Sequence, residues 1–377
     1  MRRLTAILIV LFFCWNTPKG IGQNNAIDSL VSELHSFQIK EDTSSFYAVG
    51  LFPSQRKQSR KWVEDDNIFF TSLIVLTLQR YHPYLSSENA LKVDSVIEAA
   101  IINYPDYCQK EKHYTCNFWV PTKGRHFPNS RFSENPHYAL PDDFDDTSLL
   151  LSTGNFSTED QLDAAKKMIL HKNTKSSQIH STFKRYRNYE AYSTWFGKNM
   201  PVDFDICVHA NLLMWKAIKK LDWNVTDSAT FNLIQAIVLN DDHLKNPQIV
   251  APHYQHKEVV LYHLARWLSI DSTPVTAPLK EKVKADLLEA FHTSNTPWNS
   301  LLLSNGLMML GDYQEEITEV PINDLYYFIA NLTSVNRLYI RVLTEHIGLT
   351  ELPYRCKAFE IALLFEHEML RRLGNKQ

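Results

Sequence analysis

Glycine is scarce in this chain, with only 10 among 377 residues. Average usage is about 7 %, and the shortage disfavours glycine-cradled phosphate sites, dinucleotide-binding turns and β folds built from tight hairpins. It favours helices joined by polar loops. An excess of one charge is also missing, since 39 Lys and Arg stand against 42 Asp and Glu. Nothing in this balance indicates the basic surface that a nucleic-acid partner requires, and we expect no such partner.

Cysteine is infrequent too. Of five cysteines, Cys14 lies in an N-terminal apolar run and four remain beyond it. Cys108 and Cys116 flank a short polar segment and can close a small disulfide loop in an oxidising compartment. Cys207 and Cys356 lie in helix-like apolar runs, where a free cysteine packs as a small hydrophobic residue. No cysteine or histidine spacing typical of a zinc site occurs, so no metal site is predicted.

Residues 1–22 have the pattern of a secretory signal peptide. The pair Arg2-Arg3 precedes an apolar run, Leu4–Trp15, and small residues follow it. This run is shorter than the roughly 20 residues that span a bilayer, and no later segment is apolar enough to do so. We therefore expect a secreted or periplasmic protein with one domain, residues 24–377. An uncleaved leader would anchor it to a membrane instead.

Apolar residues recur at helical spacing through the rest of the chain, and long alternating strand patterns are absent. Six segments open alike, with a polar or acidic cluster followed by a run rich in Leu, Ile and aromatics. These openings lie at 64–67, 142–147, 203–205, 254–258, 296–300 and 354–360. More charged, amphipathic helices lie between them. Such alternation is typical of a double ring, so we predict an all-α fold, an (α/α)6 barrel of about twelve helices. The six polar openings would converge on one mouth of that barrel.

The densest opening is Asp142-Asp143-Phe144-Asp145-Asp146-Thr147, with four carboxylates in five positions. Carboxylates suit a helix N-terminus, because the helix dipole and the unpaired N–H groups favour negative charge there. Like charges this close also raise one another's pKa, which can keep one carboxylic acid protonated near neutral pH. The sequence thus allows two interpretations, a helix cap and an acid site.

Residues 143–147 read Asp-x-Asp-Asp-Thr and resemble the acid motif of class II terpene cyclases, the squalene–hopene and diterpene cyclase group of α/α toroids. The glutamine–tryptophan repeats of squalene cyclases are absent. The resemblance implies that Asp145 protonates an alkene or epoxide of an isoprenoid, and that Asp143 and Asp146 keep it acidic. It implies an isomerase or lyase in which aromatic side chains stabilise the carbocations that follow. The aromatic candidates are Trp119, Trp195, Phe196, Tyr254 and Trp298.

Polar residues inside apolar helices add to the candidate site. His209 and Asn211 interrupt an apolar run soon after Asp205, and buried polar groups need partners. His256 precedes another apolar run, where hydrogen bonding at the mouth is its expected role. We predict that Asp205 and His209 approach one cavity together with the three acids of the motif. The aromatic loop 110–140 is predicted to form the rim or lid of that cavity.

Two other functions remain open. Secreted glycoside hydrolases and lyases also use six-hairpin barrels, and they pair two carboxylates in a groove lined by Trp and Tyr. Such a pair would come from Glu64, Asp65, Asp145 and Asp205. The second alternative function is a toroid that only binds a ligand, with the acids serving as helix caps. The predicted partner is a small molecule, an isoprenoid or a glycan, and a peripheral membrane contact is a further option. No cofactor is expected, except Mg²⁺ if the substrate carries a diphosphate.

Overall fold

The computed structural model describes most of the chain after the leader. The described residues are 21–41, 46–109, 114–124, 126–131, 133–135, 139–197, 200–312, 317, 320–334, 336–345 and 351–374. The predicted signal peptide lies outside them except for its last two residues. Within this part of the chain, no helix has both the length and the apolar character needed to cross a bilayer.

Helices dominate the fold, and short strands lie between some of them. The helices are α1 Ile21–Phe37, α2 Phe69–Tyr81, α3 Ser87–Ile101, α4 Tyr104–Tyr107, α5 Phe144–Thr153, α6 Thr158–Ile169, α7 Ile206–Ile218, α8 Val225–Leu239, α9 Asp242–Lys245, α10 Pro247–Val250, α11 Lys257–Leu268, α12 Ala277–His292, α13 Pro297–Met309, α14 Leu338–Glu345 and α15 Lys357–Gly374. The strands are β1 Ser54–Gln58, β2 Lys61–Asp65, β3 Cys108–Gln109, β4 Thr115–Cys116, β5 Phe328–Asn331 and β6 Glu351–Arg355.

Each of the six predicted openings leads into a buried helix, namely α2, α5, α7, α11, α13 and α15. Every residue of α5 is buried. Asp143 caps α5 by accepting the N–H of Asp146 at 2.8 Å, and Asp205 caps α7 by accepting the N–H of Cys207 at 2.9 Å. These carboxylates satisfy N–H groups that have no partner within the helix, which explains why acids precede the apolar runs.

The six buried helices contact one another in a closed succession. Each helix contacts the next one in the order α2, α5, α7, α11, α13 and α15, and α15 in turn contacts α2. The helices between them are half-exposed: α3 packs on α2, and α12 packs on α11 and α13. The buried side chains of α3 recur at helical spacing: Asn89, Val93, Val96, Ile97 and Ala100. A buried set and an amphipathic set are therefore both present, as the periodicity predicts.

The all-α prediction is wrong in one respect, because two small antiparallel sheets are present. One has the order β2-β1-β6-β5 and the other pairs β3 with β4. Glu64 and Asp65, which were expected in a helix opening, lie in β2. Each strand is only two to five residues long, too short for an alternating pattern. Pro353 lies in β6 between two neighbouring strands, a position where the missing proline N–H argues against a strand.

Candidate functional site

A cavity of about 120 Å³ lies at the start of α5. Seven of the nineteen residues that line it are aromatic: Phe69, Phe118, Trp119, Phe127, Trp195, Phe328 and Tyr354. Among the described residues, the carboxylates that line it are Asp143, Asp145 and Asp146. Three acids of one helical turn thus face a space that is otherwise largely apolar.

The aromatic side chains come from the start of α2, the loop before α5, the segment before α7 and the larger sheet. Phe328 belongs to β5 and Tyr354 to β6, whereas Trp119 lies in the predicted rim. The indole Nε1 of Trp119 donates to Asp65 Oδ1 at 2.9 Å, and Asp65 forms an ion pair with Arg56 at 3.1 Å. Four residues of the predicted rim, Phe118, Trp119, Phe127 and Leu140, line the cavity, and residues 110–113, 125, 132 and 136–138 of the loop lie outside the described part of the chain.

A disulfide-linked hairpin anchors the acid motif. Cys108 and Cys116 form the predicted disulfide within the β3–β4 pair. The carbonyl of Cys116 accepts the N–H of Asp143 at 3.1 Å, and the N–H of Cys116 donates to Thr147 Oγ1 at 2.8 Å. Both ends of the motif are therefore bonded to one residue of the hairpin, which fixes the first turn of α5.

Asp145 lies at the centre of a buried polar network. Its Oδ1 accepts a hydrogen bond from Asn211 Nδ2 at 2.6 Å, and its Oδ2 accepts one from the Tyr254 hydroxyl. Asn211 Oδ1 in turn accepts from Arg266 Nη2 at 2.7 Å. Burial raises the pKa of Asp145, while the two hydrogen bonds and the Arg266 charge oppose that rise. Asp145 is therefore a weaker acid than an exposed aspartate, yet its ionised form keeps stabilising partners.

The neighbouring carboxyls Asp143 and Asp146 are buried side by side. Burial raises the pKa of Asp143 to about 7, although its hydrogen bonds with Asp146 oppose the rise. Burial and the Asp143 charge together raise the pKa of Asp146 well above its usual range. Two carboxylates this close cannot both ionise readily, so the pair retains a proton near neutral pH.

Several predicted residues do assemble around this site. Trp119 and Trp195 line the cavity together with the three acids. Tyr254, which the resemblance offered as an aromatic surface, instead contacts Asp145 through its hydroxyl group. Asp205 lies behind the wall, where its second carboxylate oxygen accepts the N–H of His253 at 2.9 Å. His253 itself lines the cavity, so Asp205 supports a cavity residue without facing the cavity.

Other predicted residues lie elsewhere. Phe196 stacks on Phe144 in the core, with ring centroids 4.2 Å apart. His209 is completely buried and its Nε2 bonds the backbone carbonyl of Tyr192 at 2.8 Å. Burial lowers the pKa of His209 to about 4, so it is neutral at ordinary pH. The expectation that His209 approaches the cavity is therefore not met, because its side chain is completely buried and does not line the cavity, although its Nδ1 has no hydrogen-bond partner among the described residues.

His256 and Trp298 lie together in a second cavity of about 230 Å³, at the start of α11 and α13. The indole Nε1 of Trp298 donates to the Pro321 carbonyl at 2.8 Å. The structure thus separates these two residues from the acids. The six openings were predicted to meet at one mouth, but residues of the fourth and fifth openings line this second cavity.

Sequence reasoning missed three residues of the site. Arg266 interrupts the buried run of α11, and a charged residue in such a run is a signal that was available. Phe328 gave no signal, because it belongs to an unrecognised strand, whereas Tyr354 was expected in the sixth opening, 354–360, and lies in β6 instead. Asn211 stood out as a polar residue in an apolar helix, but only the fold shows that its partner is Asp145.

A metal centre does not fit the described residues. No group of three or more His, Cys, Asp or Glu side chains among them is placed to hold a metal ion. The acids at the cavity are instead bonded to the N–H groups, amides and hydroxyls named above. We therefore derive no step through Mg²⁺.

Comparison with known proteins reveals a likeness of fold. No family model and no curated protein matches the chain. Among solved structures, a variant of the type II terpene cyclase MstE from Scytonema, bound to the substrate geranylgeranyl dihydroxybenzoate, has a TM-score of 0.54 at 10 % identity, covering 94 % of this chain and 99 % of that one. Ligand-free MstE gives 0.50 at 10 % identity, with coverage of 94 % and 100 %. A family 76 glycoside hydrolase, a mannosidase from Bacteroides thetaiotaomicron, gives 0.48 at 10 % identity, with coverage of 94 % and 98 %. The chain therefore resembles α/α toroid proteins of the terpene cyclase type in its fold.

Proposed function

We propose that this protein is a class II terpene-cyclase-like enzyme, an isomerase or lyase that protonates an alkene or epoxide of an isoprenoid and cyclises it. One observation supports this best: three buried carboxyls with raised pKa values line a largely apolar cavity together with seven Phe, Trp and Tyr side chains. A carboxyl that stays protonated near neutral pH can act as a general acid. Aromatic faces stabilise cations without offering a strong nucleophile.

Asp145 is the proposed proton donor. The π electrons of the substrate alkene form a new C–H bond with its proton, and the carboxyl becomes a carboxylate. The resulting carbocation is attacked by further double bonds of the same chain, and loss of a proton from the last cation gives a neutral cyclic isomer. Asn211 and Tyr254 stabilise the carboxylate through the hydrogen bonds that they already make. Water must finally return a proton to Asp145.

Trp119 and Trp195 are the proposed cation-stabilising residues. The Trp119 ring is held by its bond to Asp65 and by packing against Phe118 and Phe127, with centroids 4.9 and 4.8 Å away. Trp195 packs edge-on against His253 at 5.7 Å. Walls held this firmly can keep a flexible isoprenoid folded before protonation, which removes part of the entropic barrier to cyclisation.

The alternatives lack a comparable observation. A glycoside hydrolase needs two carboxyls roughly 5–9.5 Å apart on either side of the sugar, whereas the acids at this cavity come from one turn of α5. Of the other acids that were considered for such a pair, Glu64 is exposed, Asp65 is paired with Arg56, and Asp205 caps α7. A purely binding toroid requires only helix caps, and of the three acids at the cavity capping accounts for Asp143 alone.

Other features belong to the proposal as well. We propose that the closed succession of buried helices forms a complete (α/α)6 barrel within one domain, residues 24–377. Export of the chain, its secreted or periplasmic location and a peripheral membrane contact stay predictions. A membrane surface would be a natural source of a water-insoluble isoprenoid.

The test is the Asp145→Asn variant of the mature chain, with Asp160→Asn as a control. Asp160 belongs to the capping box of α6 and does not line the cavity. Both proteins and the wild type are incubated with linear isoprenoids, with and without a diphosphate group and Mg²⁺, and with a panel of polysaccharides. We expect a cyclic product from the wild type and the control. Asp145→Asn should lose about 10²–10⁴-fold or more in rate, since the asparagine has no acidic proton to transfer.

Other outcomes would contradict the proposal. Release of sugars with every isoprenoid untouched would favour a glycan enzyme. Equal cyclisation by the wild type and Asp145→Asn would show that another group provides the proton.

A further inference from the structure

Arg266 is a buried cation whose role goes beyond charge balance. It lies in α11, is 3 % exposed, and bonds Asn211, which is 1 % exposed. The guanidinium also lies over the ring of Tyr262, with 5.5 Å between its central carbon and the ring centroid. Burying a guanidinium is costly, and a buried charge is weak evidence of a stabilising role. Its placement therefore calls for a functional reason.

The chemistry of arginine determines how the Asn211 amide is oriented. A guanidinium has only donors, so the Asn211 atom that faces Arg266 must be the carbonyl oxygen Oδ1. The Nδ2 group then points to Asp145 Oδ1, and it can only donate. Without Arg266, either atom of the amide could face Asp145.

This orientation determines where the acid proton of Asp145 resides. Oδ1 of Asp145 faces the Asn211 Nδ2 group, which can only donate, so in the neutral acid Oδ1 is the unprotonated carbonyl oxygen. Oδ2 faces the hydroxyl of Tyr254, which can both donate and accept. The proton therefore belongs on Oδ2. After it leaves, Tyr254 and Asn211 each donate to one carboxylate oxygen, and no heavy atom needs to move.

We propose that Arg266 is a positioning residue, which acts through Asn211 to hold the acid proton of Asp145 on Oδ2 and to stabilise the carboxylate left behind. Its kinetic consequence rests on the proposed function, but proton placement can be observed without turnover. Several groups from the surrounding elements interact electrostatically with Asp145. Tyr254 before α11 and Arg266 in α11 oppose the rise of its pKa, and Asp145 in turn raises the pKa of Asp143 and Asp146 at the start of α5, of Asp205 and Cys207 at the start of α7, and of Tyr327 before β5.

Infrared difference spectroscopy across a pH series tests the proposal. The carboxylic C=O band that disappears in Asp145→Asn identifies Asp145 in each background. In Arg266→Met we expect this band at higher wavenumber, because the carbonyl loses its fixed donor, and we expect its titration midpoint to rise by about one pH unit. Arg266→Gln keeps an N–H donor toward Asn211, so the band should stay near its wild-type position while the midpoint still rises.

Lys216→Met provides the control for removing a buried cation. Lys216 lies in α7 with Asn211, but its ion pair is with Asp227 at 3.0 Å. This variant should lose stability without moving the Asp145 band or its midpoint. If Arg266→Met does not fold, Asn211→Leu breaks the same link and should shift the band in the same direction. An unchanged band and midpoint in the folded variants would overturn the proposal, whether or not the wild type cyclises an isoprenoid.

If the wild type is active, its kinetics add a second readout. Arg266→Met should lower kcat by roughly tenfold or more with little change in KM, since proton transfer is affected and substrate binding is not. The alkaline limb of its pH profile should move to higher pH. A loss of rate with an unmoved pH profile would contradict the positioning role.

Discussion

At the scale of single residues, the pair Asp143 and Asp146 couples the chemistry of the site to the stability of the fold. The pKa of Asp143 is raised to about 7 by burial, and that of Asp146 is raised further. In the unfolded chain both return to an ordinary value near 4. Between about pH 4 and about pH 7 the folded protein therefore binds more protons than the unfolded chain does, so the free energy of unfolding must depend on pH.

The direction of this dependence is the reverse of the usual one for aspartates. The contribution of the pair to the free energy of unfolding is fully present below about pH 4 and is lost as the pH rises through about 7. The loss is up to about 1.4 kcal/mol per pH unit for each retained proton. Asp146→Asn replaces the acid proton by an amide hydrogen that can still donate to ionised Asp143. We expect the variant to have a shallower loss of stability over this range. Urea unfolding at several pH values measures it, and equal slopes for the two proteins would contradict the assignment.

The sequence identified the acids of the site but not the network that controls them. The resemblance to the acid motif of class II terpene cyclases singled out Asp145 among four carboxylates in five positions, and that motif is local. Arg266 is 121 positions away along the chain, and only the packing of α11 against α7, and of α7 against α5, brings its influence to Asp145. His209 was predicted to approach the cavity, and that prediction was wrong, because a polar side chain in a buried helix can instead bond a backbone carbonyl, here that of Tyr192.

At the scale of elements, the β3–β4 hairpin is a support for the first turn of α5. Its disulfide joins Cys108 and Cys116, and Cys116 bonds both Asp143 and Thr147. Loss of the disulfide frees the backbone of the hairpin in the unfolded chain and removes one constraint on the motif in the folded chain. The element thus links the oxidation state of two cysteines to the geometry of the acids.

The double variant Cys108→Ser/Cys116→Ser tests this link. We expect a destabilisation of roughly 2–3 kcal/mol for a loop of this length. Hydrogen exchange should accelerate more at the N–H of Asp143 than at the N–H groups of α7. Reductant should bring the wild type to the same state and leave the variant unchanged, because Cys207 and Cys356 are free and buried. Uniform acceleration over both helices would show that the hairpin stabilises the fold without a special effect on the motif.

The helices were predictable and the strands were not, for reasons that concern pattern length. Four of the six openings, those of α2, α5, α7 and α11, precede ten or more consecutive buried residues, a length that favours a helix over a strand. Strand β1 reads Ser-Gln-Arg-Lys-Gln and β6 contains Pro353, so neither has the composition of a strand. Their pairing depends on a contact between Gln55 and Arg355, at opposite ends of the chain. No local signal reports a contact of that kind.

At the scale of the whole molecule, α1, the first helix of the described chain, packs on its last helix, α15. It also packs on α3, and it buries Ile27, Val31 and Leu34 at helical spacing. The predicted leader overlaps only the first two residues of this helix, so removal of residues 1–22 leaves Ile27, Val31 and Leu34 in place.

Two truncations separate the leader from the fold. A chain that starts at residue 23 should unfold cooperatively, whereas one that starts at residue 39 should lose several kcal/mol, since each buried aliphatic side chain contributes about 1.5–3 kcal/mol. Thermal unfolding of both proteins measures the difference. Val31→Ala in the longer chain is a milder version of the same loss, by roughly 1–2 kcal/mol. Equal midpoints for the two truncations would mean that α1 contributes nothing to the core.

The closure of the helix succession by α15 also has a temporal consequence. The acid motif leaves the ribosome long before β6 and α15, yet Tyr354 of β6 forms part of the cavity wall and α15 is the neighbour that α2 needs. Contacts between such distant parts of a chain form late and slowly during folding. A nascent or prematurely terminated chain therefore carries the acids but not the chamber around them. The cavity around the acids is complete only after β6 has joined the larger sheet and α15 has packed on α2.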